Sequence, residues 1–115
     1  MLLTTEELGD VPDVSAAHID EVLGTDAFGK FVILSASEES FIQAGSDWQP
    51  TPECDEFLKR HDSDPWVLEY RDGDAGRQFR AARQVTLDEV KRALLSYLAG
   101  GAEWRHEFGW EEIET

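Results

Sequence analysis

Hydrophobic and polar positions change their period several times along the chain, and each change marks an element. In Asp13-Val14-Ser15-Ala16-Ala17-His18-Ile19-Asp20-Glu21-Val22-Leu23-Gly24, apolar side chains at Val14, Ile19, Val22 and Leu23 lie between a capping Asp13 or Ser15 and a terminal Gly24. That arrangement predicts a short first helix. Phe31-Val32-Ile33-Leu34 is β-branched and aromatic, and Phe41-Ile42-Gln43-Ala44 follows a polar connection from Ser35 to Ser40, so a hairpin is predicted. The first of these strands is apolar on both faces, which predicts a central place covered on one side by helices or on both by other segments. From residue 45 to 64 the period is lost and Gly45, Pro50 and Pro52 accumulate, an irregular excursion with room for one helical turn at Asp55–Arg60.

Alternation returns at Trp66, Leu68 and Tyr70. The glycine-rich Asp72-Gly73-Asp74-Ala75-Gly76 separates this run from Arg77–Val85 and predicts a second hairpin. Thr86-Leu87-Asp88-Glu89 is a capping box: the threonine hydroxyl accepts from the Glu89 amide and the glutamate reaches back to the Thr86 amide. Leu87, Val90, Leu94, Tyr97 and Leu98 then recur at helical spacing up to Gly100-Gly101, giving a long helix whose apolar stripe covers the sheet. The closing stretch, Glu103 to Ile113, is aromatic and acidic by turns and reads as a further edge strand or an ordered tail. The expected fold over residues 1–115 is therefore a single α+β domain: a mostly antiparallel sheet of two hairpins, packed with a long helix from the C-terminal half and a short N-terminal helix.

Composition narrows the function. With 41% hydrophobic residues the chain has material for a core, and 25 Asp and Glu against 10 Lys and Arg give a formal charge of -15. Such a surface repels phosphate backbones and anionic membranes, so neither nucleic acid nor membrane is an expected partner. No apolar run approaches the roughly 18 residues of a spanning helix, and the first residues lack the basic start and apolar stretch of a secretory signal. One cysteine, Cys54, forms no internal disulfide, which makes a reducing cytoplasm the expected compartment.

Candidate chemistry is sparse. Glu53, Asp55 and Glu56 surround Cys54, and their charge opposes the thiolate that a pairing with His61 requires. His18, His61 and His106 are dispersed, with no pair at the spacing that puts two imidazoles on one helical face. Asp72-Gly73-Asp74 lacks the remaining ligands of a calcium loop, and no glycine cluster joins a strand to a helix as a phosphate cradle. The expectation is a protein without catalytic residues, metal or cofactor.

Charge placement says more. Residues 1–28 carry seven acidic side chains and no Lys or Arg, and residues 101–115 carry five Glu against Arg105. The second hairpin, with Arg71, Arg77, Arg80 and Arg83, is the one mildly basic segment, although pairing with nearby carboxylates is the ordinary fate of such arginines. Trp66 sits in a strand pattern and reads as core. Trp48, Trp104 and Trp110 lie among Asp and Glu, where either core packing or the centre of a protein interface accounts for them.

The runs Trp66-Val67-Leu68-Glu69-Tyr70-Arg71-Asp72-Gly73, Phe79-Arg80-Ala81-Ala82, Val85-Thr86-Leu87-Asp88-Glu89-Val90 and Leu95-Ser96-Tyr97-Leu98-Ala99-Gly100-Gly101, with Trp104 and Trp110-Glu111, resemble immunity proteins of bacterial polymorphic-toxin systems. The likeness covers roughly the second half of the chain. It implies a small cytosolic protein that binds and neutralises a cognate toxin domain, often a nuclease, and that carries no catalytic residue. The expected contact groups are Glu103, Trp104, Glu107, Trp110, Glu111 and Glu112, with Asp47 and Trp48 as a second patch, set against a basic surface of the toxin. Two other readings stand beside this one: a general protein-interaction or adaptor module, and a small hydrolase using dispersed Asp, Glu and His.

Overall fold

A computed structural model of the protein describes residues 1–24, 28–73 and 77–113. Among them seven strands, β1 (Leu2–Thr5), β2 (Gly9–Val11), β3 (Phe31–Ser37), β4 (Ser40–Ser46), β5 (Trp66–Asp72), β6 (Gln78–Ala81) and β7 (Trp110–Ile113), form one antiparallel sheet in the order β2-β1-β3-β4-β5-β6-β7. Four helices accompany it: α1 (Ala16–Leu23), α2 (Pro52–His61), α3 (Leu87–Leu98) and α4 (Glu103–Glu107). Helix α3 lies over β4 and β5, with α1 and α4 packed beside it.

The expected pair of hairpins supplies β3 to β6, but the sheet is larger than two hairpins. On one side β1 and β2 extend it from a segment read only as an acidic lead-in; on the other, the closing stretch divides into α4 and the edge strand β7. Residues 2–5 are too short a run to announce a strand by local pattern. Their pairing is long-range, with Leu3 opposite Leu34 and Thr5 opposite Val32.

Other boundaries move for identifiable reasons. Gly45 and Ser46, assigned to the excursion, are the last residues of β4 and pair with Val67 and Trp66. The single expected turn at Asp55–Arg60 is the ten-residue α2: Thr51 caps it by accepting from the Cys54 amide, and Pro52 stands in its first turn, where a missing N–H is harmless. The second arm of the later hairpin ends at Ala81, and Val85 returns only as a two-bond bridge to Trp66. Asp74, Ala75 and Gly76 of its predicted turn, together with Asp26 and Glu114 of the acidic ends, lie outside the described residues.

Register explains the core. Directly opposed residues share a face of the sheet, so Leu3, Leu34, Ile42, Tyr70 and Phe79 form one row and Thr5, Val32, Ala44 and Leu68 the next. All of them except Phe79 are buried, and they join Ile19, Val22 and Leu23 of α1 and Val90, Ala93 and Leu94 of α3. The alternate residues of β3 are not covered in the same way. Phe31 is 37% exposed and Ile33 only partly buried, so the apolar second face of this strand does not mark cover on both sides.

The start of α3 is built as its sequence dictates. Thr86 Oγ1 accepts from the Glu89 amide at 3.1 Å and Glu89 Oε1 accepts from the Thr86 amide at 3.0 Å. Arg83 closes on both oxygens of Glu89, at 3.1 and 2.6 Å. Its guanidinium, ahead of the Thr86 amide, holds the Glu89 carboxyl below the usual carboxylate range against the opposing effect of burial. The folded protein therefore binds this proton less readily than the unfolded chain. Stability from Glu89 is present above the unfolded pKa and is lost as pH falls through the lowered folded value. Glu89→Gln is expected to cost about 0.5–1 kcal/mol at pH 7, and the difference from the parent should shrink towards pH 3 in urea denaturation.

Candidate binding surface

Helices α1, α3 and α4 gather on one face of the sheet, which leaves the alternate residues of the central strands on the other. By register, one row across it reads Thr4, Ile33, Gln43, Glu69, Arg80 and Glu111, and a neighbouring row reads Phe31, Gly45 and Val67. At its centre Glu69 is only 9% exposed, although it is a carboxylate on a half-open face. Its Oε1 accepts from Gln43 Nε2 at 3.0 Å and Gln78 Nε2 at 2.6 Å, and its Oε2 from Arg80 Nε at 2.8 Å. Side chains from the two flanking strands, β4 and β6, thus converge on one carboxylate of β5. A charged hydrogen bond of this kind is worth roughly 1.5–3 kcal/mol, enough to offset partial burial of the group.

Next to this network the surface dips. Gly45 lies between Phe31 and Val67, and a Cβ added to it meets nothing within 4 Å. Glycine inside a strand weakens it by roughly 0.5–1 kcal/mol relative to alanine and often marks close approach of another group. The result is a notch with a glycine floor and apolar walls.

The notch lies next to the end of the sheet where β1 and β4 finish and β3 and β5 begin. That end is sewn together by hydrogen bonds: Lys30 N donates to Glu6 Oε1 at 3.1 Å, Ser46 N to Lys30 O at 2.8 Å and Asp47 N to Pro65 O at 3.0 Å. Gln84 Nε2 fixes the Asp47 carboxylate at 2.6 Å. Leu8, Phe31, Trp48 and Leu58, four of the five exposed large apolar side chains among the described residues, belong to segments at this end. So do Glu6, Glu7, Asp47, Glu53, Asp55, Asp62 and Asp64. Apolar and acidic groups are interleaved there.

The residues singled out from sequence divide accordingly. Asp47 and Trp48, the latter 38% exposed, stand at this acidic end. Trp104 is corrected: it is 4% exposed, its indole N–H donates to Gly101 O, and its ring meets Tyr70 edge-on at 4.8 Å. A side chain enclosed in this way is a core residue and presents nothing to a partner. Trp110 is partly buried against Tyr70 and donates to Arg105 O. Helix α4 begins near Asp72, to which Arg105 is paired, at the opposite end of the sheet from Asp47. The two expected patches are therefore not brought together. Glu103 is occupied by Ser96, and its own backbone amide and the Ser96 hydroxyl hold its carboxyl below the usual range. Glu107 pairs with Arg92 at 3.0 Å, Glu112 lies 3.5 Å from Arg77, and Glu111 faces out opposite Arg80.

Sequence reasoning missed Phe31, Gly45 and Val67. Phe31 reads in a strand apolar on both faces, Val67 alternates with Trp66 and Leu68, and Gly45 opens the aperiodic stretch; only the register of three strands puts them side by side.

The Cys54 thiol is buried between Asp47 O and Gln49 N. A cleft of about 560 Å³ between α2 and α3 includes His61, but its one carboxylate, Glu89, is held by Arg83 and Thr86. Among the described residues no group of three or more His, Cys, Asp or Glu is placed to hold a metal ion, and no helix is long and apolar enough to cross a membrane. No protein-family model, curated protein or solved structure matches this chain.

The place of Trp104 in the core carries a direct expectation. Trp104→Ala should destabilise the fold by about 3–5 kcal/mol, measured by chemical denaturation, whereas Trp48→Ala should change stability by less than about 0.5 kcal/mol.

Proposed function

We propose that this protein is an immunity-type binding protein that neutralises a cognate toxin domain by occupying a basic surface on it, with a nuclease as the candidate class. It acts by binding and has no catalytic step of its own, and nucleic acid and membranes are not its partners. The observation that carries the reading is how the cations are disposed. Among the described residues Arg60, Arg77, Arg80, Arg83, Lys91, Arg92 and Arg105, of ten basic side chains in the sequence, sit in ion pairs with the chain's own carboxylates. Their charge is compensated within the fold, so the field felt by an approaching molecule is that of the uncompensated Asp and Glu. A nuclease must hold phosphate and so presents the opposite sign, and attraction over a Debye length speeds encounter. The rigid Gln43–Glu69–Gln78–Arg80 network supports the same reading, because a preorganised surface loses little freedom on binding.

The test is association with the product of the adjacent gene, measured by stopped flow and by inhibition of that product's activity. The expected result is a complex that blocks activity, with an association rate falling at least about ten-fold between roughly 0.02 and 0.5 M salt. A complex insensitive to salt favours an adaptor module in place of an electrostatic plug. Absence of any complex overturns the proposal.

A further inference from the structure

The notch beside the Glu69 network identifies the kind of group the partner presents. Gly45 is in the middle of a three-strand row, its backbone is not in the left-handed region, and space above it is open. Nothing in the fold therefore requires glycine at this position, and a strand interior ordinarily favours a larger residue. Phe31 adds a second sign. The other phenylalanine on this face, Phe41, is covered by the Arg71 guanidinium at 5.7 Å, and Phe79 similarly by Arg77 at 5.5 Å. The ring of Phe31 is exposed and has no cation over it among the described residues. Glu6, Glu7 and Asp47 belong to the segments at the same end of the sheet, where Glu6 accepts from the Lys30 amide and Asp47 from Gln84 while each keeps a further carboxylate oxygen.

We propose that the notch over Gly45 receives a long cationic side chain, arginine or lysine, from the basic partner. Its aliphatic stem lies between Phe31 and Val67, and its charged head is directed to the carboxylates at the end of the sheet. The walls suit the stem because such side chains bury their methylenes on apolar surface while keeping the charge at a polar rim. The exposed ring attracts the cation. A second copy of this chain is a poor occupant, since each copy carries -15. This inference rests on the reading of the protein as a binder of basic surfaces and names the contact it uses.

The test is a ¹⁵N NMR titration of the full chain with a capped Gly-Arg-Gly peptide, and with the same peptide carrying uncharged norleucine in place of arginine. Saturable shifts at Phe31, Gly45 and Val67 are expected with the arginine peptide, with at least about ten-fold weaker binding of the norleucine peptide. Gly45→Leu fills the notch without altering charge; it should remain folded and lose the arginine peptide by about ten-fold or more. Shifts elsewhere or none at all, equal binding of the two peptides, binding by Gly45→Leu within two-fold of the parent, or the same shifts appearing on self-association each overturn the proposal. These outcomes are separable from failure of the functional reading. A salt-sensitive, inhibitory complex with the toxin domain that Gly45→Leu leaves intact removes the notch alone, whereas absence of that complex removes the reading.

Discussion

Everything in this structure depends on the register of β3, β4 and β5. Helices cover one face of the sheet, and side chains alternate between faces, so a slip of one residue exchanges core and surface. In the observed register Leu34, Ile42 and Tyr70 fall in one buried row and Val32, Ala44 and Leu68 in the next. The opposite slip puts Gln43, Glu69 and Arg71 under the helices, at a cost no nearby partner offsets. Apolar burial thus fixes a polar constellation on the face it does not use. The convergence of Gln43, Gln78 and Arg80 on Glu69 is a product of core packing on the other side.

The same logic shows which parts of the fold were legible in the residues. The capping box at Thr86 and Glu89 and the stripe from Leu87 to Leu98 are local signals, and α3 lies where they put it. Alternation in Trp66, Leu68 and Tyr70 is local too. By contrast β1 is four residues long and exists because Leu3 and Thr5 complete buried rows begun by β3, a relation absent from any window of the sequence. Pro50 and Pro52 give residues 45–64 the composition of an irregular stretch, yet Thr51 caps a helix there and Pro52 suits its first turn.

The candidate surface was legible only in part. Asp47 and Trp48 could be found because an aromatic among carboxylates in an aperiodic segment is conspicuous, and both stand at the acidic end. Trp104 has the same sequence context and a different fate. Its ring fills space among Tyr70, Tyr97 and Trp110, so neighbouring charge in sequence says little about which way a tryptophan turns. The notch was invisible, since its three residues are 14 and 22 positions apart in the chain and meet only through pairing.

An acidic protein whose cations are mostly engaged within its own fold, with carboxylates and exposed apolar side chains interleaved at one end of its sheet, is physically suited to meet a basic surface at that end. Hydrogen–deuterium exchange of the chain, free and mixed with the product of the adjacent gene, tests this most directly. The account predicts slowed exchange where β3, β4 and β5 meet the acidic end, around residues 28–31, 45–48 and 64–67, with α1 and α3 unchanged. Protection confined to α1 and α3, with those segments unaffected, would contradict it.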